Sequence, residues 1–156
     1  VEPHKNPYAL SKKTLEKLAP FNRLGLRFTT VYGPNARESM LIPMICNGAV
    51  KYINTNHSRD FIHVDDVCDA IKVVIQKPIK GVIDIGTGKS HKLLDIMDRF
   101  NINGFEKKIG ADTERLDNKA DISVLQQFEW SPKIELEGYL MKKLHPLAEM
   151  TVGDQR

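Results

Sequence analysis

The chain has 156 residues, of which 41% are hydrophobic and 28% are charged. This length and balance predict one domain, or part of one, with a genuine apolar core, and they exclude a disordered tail. The net charge of +3 comes from lysines scattered among acidic residues, so the charge does not predict a nucleic-acid partner.

Membrane insertion and disulfide bonding are not expected either. No apolar run approaches the roughly 18 residues that a membrane-spanning helix needs, and the N-terminus lacks the basic-then-apolar pattern of a signal peptide. Cys46 and Cys68 lie in apolar helical patterns without a C-x-x-C pair. These observations predict a cytoplasmic protein with no membrane partner, no disulfide framework and no metal site.

Helices and strands are predicted to alternate along the chain. In chain order they are a helix at 7–19, a strand at 24–33, a short helix within 39–50, a short strand at 51–54, a strand at 59–63 that leads into a helix at 64–77, a strand at 81–86, a helix at about 90–100, a charged connection at 105–119, and helices near 121–128 and 135–148. This alternation predicts an α/β fold. At the start of the 64–77 helix, Asp65 or Asp66 is placed to cap the helix or to favour its dipole.

Tyr8 and Lys12 lie four residues apart on the first predicted helix, which places them on one face. A tyrosine can act as a general base only if its phenol, with a pKa near 10 in water, ionises more easily. Lowering that pKa to about 7 requires roughly 4 kcal/mol, more than one solvated lysine supplies. Random placement gives about 0.4 such pairs in this chain, and Tyr139 with Lys143 is a second match, in a helix that we interpret as structural. The Tyr-Lys spacing alone therefore does not establish an active site.

A series of motifs gives the first pair its significance. In order they are NPYALSKK at 6–13, LRFTTVYGP at 26–34, RDFIHVDDVCDAI at 59–71, GVIDIGTGKS at 81–90 and ERLDNKADISVLQQFEWSPKIELEGYL at 114–140. Together they resemble the NAD-dependent nucleotide-sugar epimerase/dehydratase family, the extended short-chain dehydrogenases, over about residues 3–142. GTGKS is not a P-loop, because Ile83 stands where its first glycine is needed.

The resemblance implies the C-terminal part of a Rossmann-type parallel sheet plus a small α/β substrate-binding subdomain. Residues 1–34 and 60–87 would be the remnant of the NAD-binding domain. Residues 35–59 and 88–156 would form the nucleotide-sugar-binding subdomain, in which we expect Trp130 to pack.

The resemblance also implies the residues that contact the cofactor. By matching position, Tyr8 is the catalytic acid/base, and Lys12 supports it and holds the nicotinamide ribose of NAD. Thr29 and Val31 are further candidates for cofactor contacts, through their backbone more than their side chains.

Thr30 and Arg37 are the implied contacts to the sugar. In TTVYGPNARESM they keep the Thr, Arg and Met spacing of the UDP-glucuronate 4-epimerase branch, whereas many family members have asparagine in place of Thr30. An arginine fork can bind a carboxylate bidentately while a threonine hydroxyl donates a further bond, which suits a hexuronate. The alternative is a threonine that fills a buried strand and a solvated loop arginine.

Arg59 and Arg115 match arginines that reach the diphosphate of the bound sugar nucleotide, and the guanidinium suits phosphate oxygens. The alternatives are salt bridges, of Arg59 with Asp60 or Asp65 and of Arg115 with Asp117 or Asp121.

Full-length relatives place a glycine-rich strand-turn-helix, an acidic ribose-binding residue and a catalytic Ser or Thr upstream of the Tyr-Lys pair. We therefore expect this chain to be the C-terminal part of such an enzyme, with weak or no NAD binding alone. The implied activity is 4-epimerisation of a UDP-hexose or UDP-hexuronate by transient oxidation. A separate N-terminal Rossmann half is a candidate partner, and the complete enzyme is expected to be a homodimer. The alternatives are a non-catalytic nucleotide-sugar-binding module and an inactive remnant.

Overall fold

The computed structural model describes residues 6–18, 23–111 and 113–146. In chain order its elements are α1 Pro7–Leu18, β1 Leu24–Phe28, β2 Thr30–Tyr32, α2 Leu41–Cys46, β3 Tyr52–Asn54, β4 Ser58–Arg59, β5 Phe61–His63, α3 Val64–Val74, β6 Gly81–Ile85, β7 His91–Lys92, α4 Leu93–Arg99, β8 Glu106–Lys108, α5 Ser123–Gln126 and α6 Leu136–Leu144. The predicted α/β alternation is confirmed. The predicted helix ends at residues 19 and 147–148 lie outside the described residues. No helix in the described ranges is long and apolar enough to cross a bilayer.

Three of the four strand pairs are parallel, as a Rossmann-type sheet requires. β1 pairs with β6 and β2 pairs with β5, both in parallel. β3 pairs in parallel with β8, and β4 pairs antiparallel with β7. Because β1 ends at Phe28 and β2 begins at Thr30, the β1–β6 pair ends where the β2–β5 pair begins.

The strand predicted at 24–33 is two strands, separated at Thr29. The Thr29 N–H donates to the carbonyl of Ile85 at 3.0 Å, whereas the Thr30 N–H donates to the carbonyl of Asp60 at 2.9 Å. The chain therefore changes partner within two residues, from β6 to the segment that leads into β5, and one continuous ladder is not formed.

The connection at 105–119 contains a strand that the sequence pattern does not reveal. β8 has the sequence Glu-Lys-Lys and all three side chains are exposed. It pairs in parallel with β3, and the N–H of Thr55, the residue after β3, donates to the Lys108 carbonyl at 2.8 Å. A strand made by backbone pairing alone carries no apolar alternation that could predict it.

Two apolar clusters form the core. The first joins α2, α4 and α6 to strands β2, β3 and β5, with the buried residues Tyr32, Ile42, Ile45, Ile53, Phe61, Leu93, Ile96, Met97, Leu136 and Leu140. The second contains Ile62, Val67, Ala70, Val74, Ile83, Ile85, Leu125 and Trp130. Trp130 was expected to pack in the subdomain of residues 35–59 and 88–156, but most of its cluster comes from β5, α3 and β6, so it packs largely against the other predicted domain.

Asp66 explains the position of Trp130. Its buried carboxylate accepts the backbone N–H groups of Lys133 and Ile134, at 3.1 and 3.0 Å. This carboxylate holds the segment after Trp130 against α3. The side chain that caps α3 is instead His63, whose Nδ1 accepts the Asp65 N–H at 3.2 Å. Of the two roles predicted for these aspartates, the cap belongs to His63 instead, and their position in the first turn fits the other role, which is to favour the helix dipole.

Candidate functional site

Tyr8 and Lys12 lie together on an exposed face of α1. The Asn6 side-chain oxygen accepts the Tyr8 N–H at 2.9 Å, which orients the first turn. The Lys12 Nζ lies 5.4 Å from the centroid of the Tyr8 ring, and Tyr8 is 69% exposed. A phenol and an ammonium group are thus presented side by side to the outside of the described structure.

The second Tyr-x-x-x-Lys pair has the same local geometry in a different environment. On α6 the Lys143 Nζ lies 5.7 Å from the Tyr139 ring centroid. The Tyr139 ring packs at 5.1 Å from the Tyr32 ring and 5.4 Å from the His63 ring, and burial raises the pKa of Tyr139. The helix spacing produces both pairs, but the packing of Tyr139 fits the structural role that we expected for it.

An ion pair joins α1 to β1. The Arg27 guanidinium donates from Nε and Nη2 to the two carboxylate oxygens of Glu16, at 2.6 and 2.7 Å, and this bond lowers the pKa of Glu16. The Arg27 Nη1 also lies 3.6 Å from an Asp84 oxygen on β6. No residue of α1 is buried, so this bidentate pair is important for the orientation of the helix that carries Tyr8.

Thr29, Thr30 and Val31 lie at the break between β1 and β2. The Thr29 hydroxyl is buried and has no hydrogen-bond partner among the described residues. Val31 packs against the second apolar cluster, which leaves its backbone as the part suited to contact a ligand. The Thr30 hydroxyl oxygen accepts a hydrogen bond from the Asn118 Nδ2 at 3.1 Å. The orphan Thr29 hydroxyl fits a polar ligand, and the cofactor roles of Thr29 and Val31 stay predictions.

Arg37 lies on the loop between β2 and α2. Its side chain is exposed, and the described structure shows no hydrogen bond or ion pair that joins it to Thr30. Its backbone carbonyl accepts the Met40 N–H at 2.9 Å, which shapes the loop. The two implied sugar contacts are therefore not brought together here, and their shared role remains a prediction.

Arg59 lies in a polar cluster with the segment before α5. Its Nη1 donates to the carbonyls of Ser58 and Leu116, at 2.6 and 3.1 Å, and its Nη2 lies 3.0 Å from the His57 Nδ1. Burial lowers the pKa of Arg59, which the nearby negative charges of Glu114 and Asp117 oppose. Three of its five N–H donors are engaged by these contacts, so two are left for a ligand.

Arg115 is exposed and lies close enough to Arg59 for its positive charge to lower the pKa of Arg59. The alternative ion pair of Arg115 with Asp117 or Asp121 is not formed among the described residues. Asp117 instead accepts the Ser90 hydroxyl at 2.6 Å, and Asp121 accepts the Ser123 N–H at 3.0 Å. The two arginines predicted to bind diphosphate thus share one region.

Asp60, which the sequence suggested only as a salt-bridge partner for Arg59, has a larger role in the structure. Its carboxylate is fully buried and accepts four hydrogen bonds: the Thr87 N–H and hydroxyl at 2.9 and 2.6 Å, the Gly88 N–H at 2.9 Å and the Ala120 N–H at 3.1 Å. The turn after β6 has backbone N–H groups that need an acceptor, and this need was the one feature of the sequence that could have indicated a buried carboxylate. Asp60 connects that turn to the segment that carries Arg115.

A groove of about 340 Å³ lies between α2 and β3. Leu41, Met44, Tyr52 and Leu93 form much of its apolar lining. Asn54, also on the wall, donates from its Nδ2 to the Glu114 carboxylate at 3.1 Å. The groove therefore adjoins the polar cluster through Asn54.

Comparison with known proteins identifies the family. A model of the NAD dependent epimerase/dehydratase family matches residues 1–86. The chain is 26% identical to a CDP-abequose synthase of Salmonella muenchen, over 86% of this chain and 51% of the relative. It is 27% identical to an uncharacterized UDP-glucose epimerase, YtcB, of Bacillus subtilis (strain 168), over 96% of this chain and 54% of the relative.

A solved structure shares the fold. The NAD dependent NDP-hexosamine 5,6-dehydratase TunA, involved in tunicamycin biosynthesis, superposes with a TM-score of 0.73 at 24% identity, over 90% of this chain and 52% of that one. This likeness confirms the predicted Rossmann-type fold class. The chain spans about half the length of the curated relatives it matches. Because the family model covers more than half of the chain, the protein belongs to the NAD-dependent epimerase/dehydratase family of nucleotide-sugar enzymes.

Proposed function

We propose that this chain carries the acid/base and nucleotide-sugar-binding elements of a 4-epimerase that acts on a UDP-hexose or UDP-hexuronate. The observation that carries the proposal is the exposed Tyr8 phenol with the Lys12 ammonium beside its ring, in a chain of this family. Tyr8 would take a proton from a sugar hydroxyl, and the positive charge of Lys12 would stabilise the phenolate that accepts it. NAD supplies the hydride acceptor when bound. Lys12 and the Thr29 hydroxyl, which has no hydrogen-bond partner among the described residues, suit its polar atoms.

The polar cluster is the proposed diphosphate site. Two N–H donors of Arg59 and the exposed guanidinium of Arg115 supply positive charge and a planar set of donors. The groove that adjoins this cluster through Asn54 lies within the size range of small-molecule sites, and Tyr52 on its wall offers an aromatic face for a base. A nucleoside in the groove would place its diphosphate toward the arginines.

A carboxylated sugar is the substrate that we favour. Thr30 offers a hydroxyl held in place by Asn118, and Arg37 lies exposed on the next loop, where it is free to turn toward a ligand. A carboxylate would receive a bidentate bond from Arg37 and a further bond from Thr30. Equal turnover of UDP-glucose and UDP-glucuronate would contradict this choice of substrate.

The catalytic role is tested by Tyr8→Phe, with Tyr139→Phe as the matched control from the second Tyr-x-x-x-Lys pair. Epimerisation of UDP-glucuronate is followed with NAD present. Where the chain alone is inactive, a separately produced glycine-rich nucleotide-binding half is added. Loss of a positioned acid/base lowers the rate by roughly 10²-fold or more, so Tyr8→Phe should do so while Tyr139→Phe changes it little. Equal effects of the two changes would contradict the role of Tyr8.

A non-catalytic nucleotide-sugar-binding module is the second candidate. This candidate is favoured because the groove and the two arginines are formed by residues between 39 and 115. None of them belongs to α1, so nucleotide-sugar binding would not require Tyr8 or Lys12. The test is calorimetric titration of the chain with UDP and UDP-glucuronate, with Arg59→Gln compared against the exposed Arg99→Gln. Binding lost only in Arg59→Gln, without epimerisation under any condition, would favour the module over the enzyme.

A further inference from the structure

Asn118 makes the only side-chain hydrogen bond to the Thr30 hydroxyl that the described residues provide. Its Nδ2 lies 3.1 Å from the Thr30 Oγ1, and its Oδ1 accepts the Asp60 backbone N–H at 2.7 Å. A backbone N–H can only donate, so the amide oxygen of Asn118 must face Asp60. The NH₂ group is therefore the one that faces Thr30, and the direction of this hydrogen bond is fixed by the network.

This direction determines what the Thr30 hydroxyl can offer a ligand. A hydroxyl has one O–H donor and lone pairs that accept, and Asn118 occupies the accepting side. No described residue accepts a hydrogen bond from the Thr30 hydroxyl. Thr30 is only partly buried, so its O–H is left to donate to a group outside the protein.

We propose that Asn118 is a positioning residue that sets sugar specificity, because it makes Thr30 an outward hydrogen-bond donor. A carboxylate can only accept, and its bond to a donor is strengthened by its charge, whereas a hydroxymethyl group binds either a donor or an acceptor. A fixed donor therefore selects the carboxylated sugar nucleotide over the neutral one. The inference rests on the proposed function, since it concerns the sugar end of the same site.

Asn118→Asp is the substitution that reverses this bond with little change in shape. The aspartate still accepts the Asp60 N–H through one oxygen. Its other oxygen has no proton to donate, so the Thr30 O–H turns inward to donate to it. The outward donor is lost while the contact and the side-chain volume are retained.

The test is calorimetric titration of the full chain with UDP, UDP-glucose and UDP-glucuronate. The wild type should prefer UDP-glucuronate by about tenfold, the size of a hydrogen bond to a charged group. Asn118→Asp and Thr30→Val should each remove this preference, Thr30→Ser should keep it, and the affinity for UDP should stay within about twofold in all variants. Urea midpoints read from the fluorescence of Trp130 establish that each variant is folded, since it is the sole tryptophan and is buried.

A new negative charge would also repel a carboxylate directly, and Asn118→Asp in the Thr30→Val background separates the two effects. Our proposal predicts no further change in preference there, because the hydroxyl is already gone. A further loss would show direct repulsion and overturn the proposal, as would an Asn118→Asp variant that keeps the wild-type preference. If the wild type binds UDP and both sugars equally, the specificity inference fails and nucleotide binding stands. If it does not bind UDP at all, the proposed function fails and the inference with it.

Discussion

Asp60→Asn tests the central hydrogen-bond network of the candidate site. The carboxylate is fully buried, and each of its oxygens accepts two hydrogen bonds. Asparagine has the same shape, but one of its two terminal atoms donates instead of accepting. The Thr87 hydroxyl can reverse its bond to suit this change, whereas a backbone N–H cannot.

The structure sets the expected magnitude. In the most favourable orientation, the NH₂ of the introduced asparagine faces Thr87 and its oxygen still accepts the Gly88 and Ala120 N–H groups. The Thr87 N–H then loses its acceptor, the Thr87 hydroxyl accepts from the NH₂, and three neutral bonds remain. Three neutral hydrogen bonds at about 1 kcal/mol each then replace four charge-assisted ones at about 2 kcal/mol each, which is a loss of roughly 5 kcal/mol. This is a large part of the roughly 5–15 kcal/mol that stabilises a typical domain.

Urea unfolding followed by Trp130 fluorescence and by circular dichroism measures this loss. Asp98→Asn, which removes the same charge from the exposed surface of α4, is the matched control and should change the free energy of unfolding by less than about 0.5 kcal/mol. If Asp60→Asn is unfolded without urea, Thr87→Val gives a milder test. It leaves the Asp60 carboxylate and its three backbone N–H donors in place and removes the hydroxyl, which donates to Asp60 and accepts the Lys89 N–H at 3.2 Å, so it should cost about 1–3 kcal/mol. A loss below about 1 kcal/mol for both Asp60→Asn and Thr87→Val would refute the network as described.

Three further predictions concern parts of the structure around the site. Burial, and then the positive charge of Arg59, lowers the pKa of His57, so the neutral ring is favoured in the folded state. The stability that the neutral ring contributes is fully present above about pH 6.5, the pKa of an unfolded histidine, and is lost as the pH falls through the lowered folded-state pKa. His57→Gln should abolish this loss in urea midpoints compared between pH 7.5 and pH 5.5, whereas the exposed His145→Asn should leave it in place. Gly110→Ala should destabilise the fold by about 1–3 kcal/mol, because the new Cβ would lie 2.6 Å from the Cε1 of the buried His57 ring. The control Gly138→Ala adds a Cβ with no atom within 4 Å, so it should stabilise α6 by about 0.5–1 kcal/mol. Arg27→Gln should change the free energy of unfolding by no more than about 1 kcal/mol, since its ion pair with Glu16 is half-exposed. The same change should speed amide hydrogen exchange in α1 and not in α3. Equal exchange rates in α1 before and after the change would show that the ion pair does not hold the helix.

The elements that the sequence predicted are those in which the spacing of apolar and polar side chains shows which face is buried. α3 buries Val67, Ala70 and Val74 on one face, and this periodicity is visible in the sequence. β8 and the break at Thr29 were not predicted, because both depend on which distant backbone groups pair with them. A local pattern contains no information about such partners.

The candidate site also has one part that the sequence predicts and another that depends on distant partners. The spacing of Tyr8 and Lys12 follows from the helix repeat, so the sequence was sufficient to place them together. The roles of Asp60 and Asn118 were not predictable, because their partners lie 27 to 88 residues away in the chain. Only packing brings those donors and acceptors together.

Asp60 links the two ends of the proposed substrate site. Its carbonyl accepts the Thr30 N–H, its own N–H donates to Asn118, and its carboxylate holds the Ala120 N–H. Arg59 precedes it directly in the chain, with its side chain bonded to the Leu116 carbonyl of the same returning segment. The arginine that we assign to the diphosphate and the threonine that we assign to the sugar are thus held by one buried residue. The distance between these two groups is therefore fixed by the hydrogen bonds of Asp60 and not by the exposed loops around them.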